Sequence, residues 1–209
     1  MMEIIDCEQG SLDWFRARAG IPTASEFSTV MASGKDGGDS KTRRTYMLKL
    51  AGEILTEELQ ESYSNSHMER GKEMEDQARD LYSFVTNTEP QRVGFIRNGK
   101  AGCSPDSLIG DNGGLEIKTK LPHLLIDVIL KDKFPAEHRA QCQGFLWVAE
   151  REWIDIGVYW PKLPIFIKRE YRDEEYIAKL SAAVDQFTDE LAQVVETIRR
   201  YGQPVSEAA

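Results

Sequence analysis

The stretch from Asp106 to Thr119 constrains the fold more tightly than any other part of the chain. Two short runs, Asp106 to Ile109 and Leu115 to Thr119, flank Gly110-Asp111-Asn112-Gly113-Gly114, a composition that closes antiparallel strands on each other. In Leu115-Glu116-Ile117-Lys118-Thr119 the two-residue period of a strand sends Glu116 and Lys118 to one face and Leu115, Ile117 and Thr119 to the other. Closing the turn brings Asp106, at the start of the partner run, within reach of Glu116. The outcome is an Asp-x9-Glu-x-Lys arrangement, two carboxylates and an ammonium on one small ribbon.

Such a set suits phosphodiester hydrolysis. Carboxylate oxygens hold hard cations such as Mg2+, which activate water and stabilise charge on the attacking and leaving oxygens. A lysine beside them positions the water and offsets phosphate charge. Mn2+ accepts similar oxygen ligands, so the sequence does not choose between the two ions. The same residues also make an ordinary solvated strand face. Asp106, the hairpin and a carboxylate on an upstream helix, Glu75, favour a site, but on these residues alone both readings stay open.

The flanking segments read as follows. Ser11 to Arg18 is a helix ending at Gly20, with Leu12, Trp14 and Phe15 available to the core. Thr23-Ala24-Ser25-Glu26 resembles a cap opening a second helix toward Met31. A polar, glycine-rich loop from Ser33 to Lys41 precedes a helix from Arg43 to Leu59. A further helix from Gly71 buries Met74, Ala78, Leu81, Tyr82 and Val85, with Glu75 at the edge of that stripe. Val93 to Ile96 is a strand before a turn at Asn98-Gly99. Pro135 opens a helix from Ala136 to Ala149, followed by strands Trp153 to Trp160 and Ile165 to Lys168 and a last helix from Glu174 to Tyr201. This order predicts an α/β fold with a mixed, mostly antiparallel central sheet flanked by helices, in a single domain over 1–201 with a frayed tail from Gly202 to Ala209.

Composition narrows the function classes. The formal charge of −9 excludes a protein that coats nucleic acid through global basicity, so any DNA contact must be local. Carboxylates gathered around divalent ions repel phosphate only until the metal reverses the local sign, so an acidic nuclease is physically consistent. No apolar run is long enough to span a membrane and no signal peptide precedes the first helix, which predicts a cytoplasmic protein. Cys7, Cys103 and Cys142 form no C-x-x-C pair and are expected to be buried free thiols. No P-loop occurs, and His67, His123 and His138 have neither zincin spacing nor a nucleophile partner, so none is assigned to catalysis.

Four segments, Arg70-Gly71-Lys72-Glu73-Met74-Glu75, Cys103-Ser104-Pro105-Asp106, Gly114-Leu115-Glu116-Ile117-Lys118 and Gln141-Cys142-Gln143-Gly144-Phe145, resemble in order the motifs of the PD-(D/E)xK nucleases. Within that superfamily the segment from Trp14 to Glu26 is similar to the N-terminal motif of the phage lambda exonuclease group, the YqaJ-like viral recombinases. The resemblance covers about residues 10 to 160. It implies a restriction-endonuclease-like core and a 5′-to-3′ exonuclease on linear double-stranded DNA. Such an enzyme releases mononucleotides and leaves 3′ overhangs for recombination by single-strand annealing. It implies two Mg2+ ions per site: Asp106, Glu116 and the carbonyl of Ile117 hold one, and Asp106 also touches the second. Lys118 then orients the attacking water, with Glu75 and Gln141 supporting the site. By the same resemblance Arg18, Ser25 and Ser104 bind the 5′-phosphate, Met68 is the wedge that parts the duplex end, and Lys35 reaches a groove. The implied assembly is a ring-shaped homotrimer working with a phage annealing protein. Two residues depart from the pattern: His138 stands where relatives carry tyrosine, and Phe145 replaces the tyrosine of Q-x-x-x-Y. A structure-selective or restriction-type endonuclease, or a DNA-end-binding module without activity, would share many of these features.

Overall fold

The computed structural model describes residues 1–34, 40–58 and 66–202, and over 66–73 the backbone only. Lys35, the Met68 side chain and the tail beyond Gly202 therefore lie outside the described residues. The elements are β1 (Met2–Ile5), α1 (Leu12–Arg18), α2 (Phe27–Val30), α3 (Lys41–Thr56), α4 (Ser66–Thr86), β2 (Pro90–Gln91), β3 (Phe95–Asn98), β4 (Ala101–Cys103), β5 (Ser107–Ile109), β6 (Gly113–Thr119), α5 (Pro122–Lys131), α6 (Arg139–Val148), β7 (Trp153–Tyr159), β8 (Phe166–Tyr171) and α7 (Glu174–Arg200).

The central sheet has the order β2-β5-β6-β7-β8 and is antiparallel except for the β6–β7 pair. Those two run parallel because α5 and α6 lie between them, a crossover long enough to return the chain to the end it started from. A smaller antiparallel sheet has the order β1-β3-β4. The mixed, mostly antiparallel sheet with flanking helices is thus as the sequence predicts.

Strand β6 is sandwiched. On one face Leu115 and Ile117 pack with Ala78 and Tyr82 of α4. On the other, Gly114 lies so near α6 that an added Cβ would stand 2.4 Å from the Phe145 ring. Phe145 is therefore a packing residue against β6, which accounts for the missing hydroxyl at that position. The larger core joins α2, α3, α6 and α7, the last through Ile177, Leu180, Val184, Phe187, Leu191 and Val195 at helical spacing.

The helix signals act as capping chemistry predicts at three starts. Ser11, Ser40 and Asp173 accept hydrogen bonds from the N–H groups of Trp14, Arg43 and Tyr176. Gly20, at φ +69°, terminates α1. Thr23 is different: it caps nothing, the chain makes a 3-10 turn over Ala24–Glu26 before α2, and its hydroxyl faces Arg18 instead. Val85 is 57% exposed, because the buried stripe of α4 ends at Tyr82. Cys103 and Cys142 are buried free thiols as expected, whereas Cys7 is only half-buried.

Four elements escape the sequence reading. β1, β2 and β4 span four, two and three residues, too short for a period to register. α5 carries the apolar run Leu124-Leu125-Ile126 and Val128-Ile129-Leu130, whose β-branched content reads as readily as strand. Pro122 at its first turn and Asp132, in the left-handed region at φ 44°, delimit it. Among the described residues no helix is long and apolar enough to cross a membrane.

Candidate active site

The position of Asp106 follows from where the β5–β6 ladder stops. The last pair is Ser107 with Leu115, and extending that register sets Pro105 opposite Ile117. Proline has no N–H to donate, and its carbonyl is already taken by Gln9 Nε2 at 2.9 Å, while Gln9 also donates to Val93 O at 2.8 Å. The Ile117 N–H left unpaired is accepted by the Asp106 carboxylate at 2.5 Å. Within a strand the N–H and C=O of one residue point to the same side. The Ile117 carbonyl therefore projects beside Asp106, with no donor from proline in register to occupy it.

Glu116, in the buried half of β6, and Lys118, two residues further along, face α6. One oxygen of Glu116 accepts both from Lys118 Nζ at 2.7 Å and from Gln141 Nε2 at 2.5 Å. Desolvation acts to lower the Lys118 pKa, but Glu116 and Asp106 outweigh it and leave it raised, so the side chain is a firm ammonium and a donor. Asp106 moves the other way. Burial, Glu116 and then Glu75 push its pKa well above the ordinary carboxylate value, against the smaller pull of Lys118 and the Ile117 N–H. Burial and the neighbouring carboxylates thus disfavour the charged form of Asp106.

Glu75 approaches from α4, held by an ion pair with Arg79. Arg79 is a residue the sequence reading missed. Its Nε donates to Ser107 at 3.0 Å, one terminal nitrogen to Asp76 at 2.7 Å, and the other to Glu75 and to the Asp106 carbonyl at 3.3 Å. One buried guanidinium thereby joins the helix carboxylate to the backbone that carries Asp106. The available signal was Glu75 and Arg79 at i, i+4 spacing, with Arg79 beside the apolar stripe residues Ala78 and Tyr82.

A second group gathers around Arg18. Its guanidinium stacks on Trp14 at 4.0 Å and donates to Ser104 at 3.3 Å and Thr23 at 3.4 Å, and the Thr23 and Ser25 hydroxyls are 3.2 Å apart. Trp14 Nε1 also donates to Ser104, at 2.9 Å. Arg18 makes no ion pair among the described residues, and burial lowers its pKa. A half-buried guanidinium ringed by hydroxyls and without an ion pair among the described residues is an anion site in chemical type. Arg18 and Ser25 share one cavity of about 1220 Å³ with Glu75, Arg79 and Asp106. Glu116, Lys118 and Gln141 are not on that wall, so Asp106 is the member common to the cavity and to the Glu116 group.

The sequence-derived residues thus fall into two clusters that meet at Ser104-Pro105-Asp106. Among the described residues no three His, Cys, Asp or Glu side chains converge as a metal cluster by themselves. The donor set is two carboxylates and a main-chain carbonyl, all hard oxygens, with Glu75 adding charge nearby. The repulsion among these carboxylates is what a divalent cation would relieve, so the residues fit one.

His138 sits at the head of α6, and its Nε2 is buried without a hydrogen-bond partner. Burial, then Lys118, lowers its pKa to about 4. The folded protein therefore holds a neutral imidazole where the unfolded chain takes up a proton below pH ~6.5. Stability should decline as pH falls from about 6.5 and level off near 4, where the folded form also protonates. Melting temperature followed across this range should lose that slope in His138→Phe, with each kcal/mol appearing as ~2–4 °C. An unchanged slope in the variant would assign it to other groups.

The YqaJ-like viral recombinase domain model matches residues 13–152. An alkaline exonuclease from Laribacter hongkongensis is 34% identical, covers 91% of this chain and 97% of its own, and superposes with a TM-score of 0.82. The same enzyme in complex with dAMP gives 33% identity, the same coverage and a TM-score of 0.82. A phage-related exonuclease from Haemophilus somnus 129PT superposes with a TM-score of 0.66 over 85% of this chain and 96% of that one; at 15% identity it speaks for the fold alone. No curated protein sequence matches the chain. The motifs, the sheet that carries them and these likenesses lead to one assignment: the chain belongs to the YqaJ-like viral recombinase family.

Proposed function

We propose that this protein is a metal-dependent 5′-to-3′ exonuclease on linear double-stranded DNA, releasing mononucleotides and leaving 3′ single-stranded tails for recombination by annealing. The observation that carries the reading is Asp106, set between the Glu116–Lys118–Gln141 group and a cavity whose other end holds Arg18. The Laribacter relative's complex with dAMP, a DNA mononucleotide, supports it. Asp106, Glu116 and the Ile117 carbonyl would hold Mg2+ or Mn2+, with Asp106 shared by a second ion. Bound there, the metal supplies Lewis acidity and a lowered pKa for water. Lys118, kept protonated by its carboxylate neighbours, donates to the attacking water and to the phosphate. Gln141 fixes Glu116, Arg79 fixes Glu75, and Arg18 with Ser25 and Ser104 takes the terminal 5′-phosphate. A ring-shaped homotrimer would keep an acidic chain on its substrate by topology, and a phage annealing protein would receive the tail.

The test is digestion of linear against covalently closed circular duplex with Mg2+. Linear DNA should be degraded and closed circles survive, whereas cut circles would replace the reading with an endonuclease. Linear duplex bearing a 5′-phosphate should be digested faster than the 5′-hydroxyl form. Arg18→Ala should shrink that gap by roughly tenfold or more, the scale of a charge-assisted hydrogen bond. Equal rates on both ends in the wild type would remove Arg18 from the phosphate pocket.

A further inference from the structure

We propose that the cavity-facing side of α3 is a binding track for nucleic-acid phosphates, with Lys41, Thr45 and Lys49 holding the DNA backbone that leads to Asp106. The proposal rests on the nuclease reading above and extends it to a surface no motif marks. The three residues are four apart, so they share one helix face, and all three line the cavity that also holds Arg18, Glu75 and Asp106. Lys41 to Lys49 spans about 12 Å along the helix, the axial rise of three to four base-pair steps at ~3.4 Å each.

The charge pattern separates these lysines from the rest. Acidic residues outnumber basic ones 35 to 26, so partners are abundant. Lys100, Lys118, Lys120, Lys131, Lys168 and Lys179 are all ion-paired. Among the described residues only Lys41, Lys49, Lys133 and Lys162 are lysines without an ion pair, and the two that line the cavity belong to this one helix face. For Lys49 the reason is visible. Glu53, one turn further, is turned away to accept the Gly20 N–H at 2.9 Å. The opposite side of α3 is committed to α7, where Arg43 pairs with Glu190 at 2.6 Å. The α3 face is also fixed relative to the Arg18 cluster, because the Tyr46 hydroxyl accepts the Thr23 N–H at 3.2 Å. On the cavity wall α3 contributes Lys41 and Lys49, which have no ion pair among the described residues, beside one carboxylate, Glu53, while Asp6, Glu8, Glu26, Glu75, Asp76 and Asp106 come from other segments. The two lysines would hold a phosphate backbone along the helix with its end near Asp106.

The experiment measures binding of fluorescein-labelled linear duplex by anisotropy in EDTA, where no hydrolysis occurs, over a range of salt concentrations. Each phosphate contact contributes about 0.9 to the slope of log Kd against log salt. Lys41→Ala with Lys49→Ala should lower the slope by about 1.8 and weaken binding at low salt on the order of tenfold. Lys41→Arg with Lys49→Arg should restore it. Lys133→Ala with Lys162→Ala, which removes the same charge outside the cavity, should leave the slope unchanged. An unaltered slope in the α3 variant, or an equal drop in both alanine pairs, overturns the track. Failure of the wild type to degrade linear DNA with Mg2+ would instead count against the nuclease reading, and is scored separately.

Discussion

Alanine at Asp106, at Glu116 or at Lys118 is expected to lower the rate of linear duplex hydrolysis by at least ~10²–10³-fold, with the fold retained. The three losses have different origins. Asp106 would serve both proposed metal positions, Glu116 anchors Lys118 and Gln141 and would also hold metal, and Lys118 brings the only ammonium bonded to the group among the described residues. The sign of the stability change separates a functional from a structural part for Asp106. Its carboxylate is buried against Glu116 and Glu75 and is disfavoured in its charged form. Asp106→Asn relieves that repulsion while keeping the shape, so in EDTA its melting temperature should equal or exceed that of the wild type even as hydrolysis disappears. Release of labelled nucleotide and circular-dichroism melting on the same preparations decide it. Rates within threefold of wild type for all three variants would leave the carboxylates as mere structure.

The largest stability effect should come from Arg169→Ala, a residue outside the site. Asp155 on β7 is 2% exposed and accepts Arg169 Nε and Nη2, each at 2.8 Å, and the Tyr82 hydroxyl at 2.8 Å. Arg169 itself is substantially exposed and lies 3.5 Å over the Trp153 ring. Removing the arginine strands a carboxylate in the core with one neutral donor, which costs ~3–5 kcal/mol. Asp155→Asn leaves the arginine free to reach water and should cost less. Urea denaturation of the two variants ranks them, and a smaller loss for Arg169→Ala than for Asp155→Asn would contradict this account. Because β7 is the parallel neighbour of β6, this strut also braces the strand that carries Glu116 and Lys118.

The site was legible in sequence where chemistry and period coincide. A two-residue alternation fixed the faces of Glu116 and Lys118, and a glycine-rich turn returned the chain to Asp106. What was not legible depends on residues distant in the chain. Arg79 works through Ser107 and the Asp106 carbonyl, partners that only the packing of α4 on the sheet reveals. Thr23 carries the pattern of a helix cap, yet its hydroxyl is drawn to Arg18 by a tertiary contact that local pattern does not encode. The short strands and α5, with its runs of apolar, partly β-branched residues, failed for the opposite reason, since their local signal is too weak or too ambiguous to separate helix from strand.

The Gln9 amide gives the first ten residues a reach beyond their own strand. By gripping the carbonyls of Val93 and Pro105 together, it makes the loop that presents Asp106 a tethered one, anchored to the amino-terminal arm. Trimming the chain through Gln9 therefore loads the loop that carries Asp106 directly.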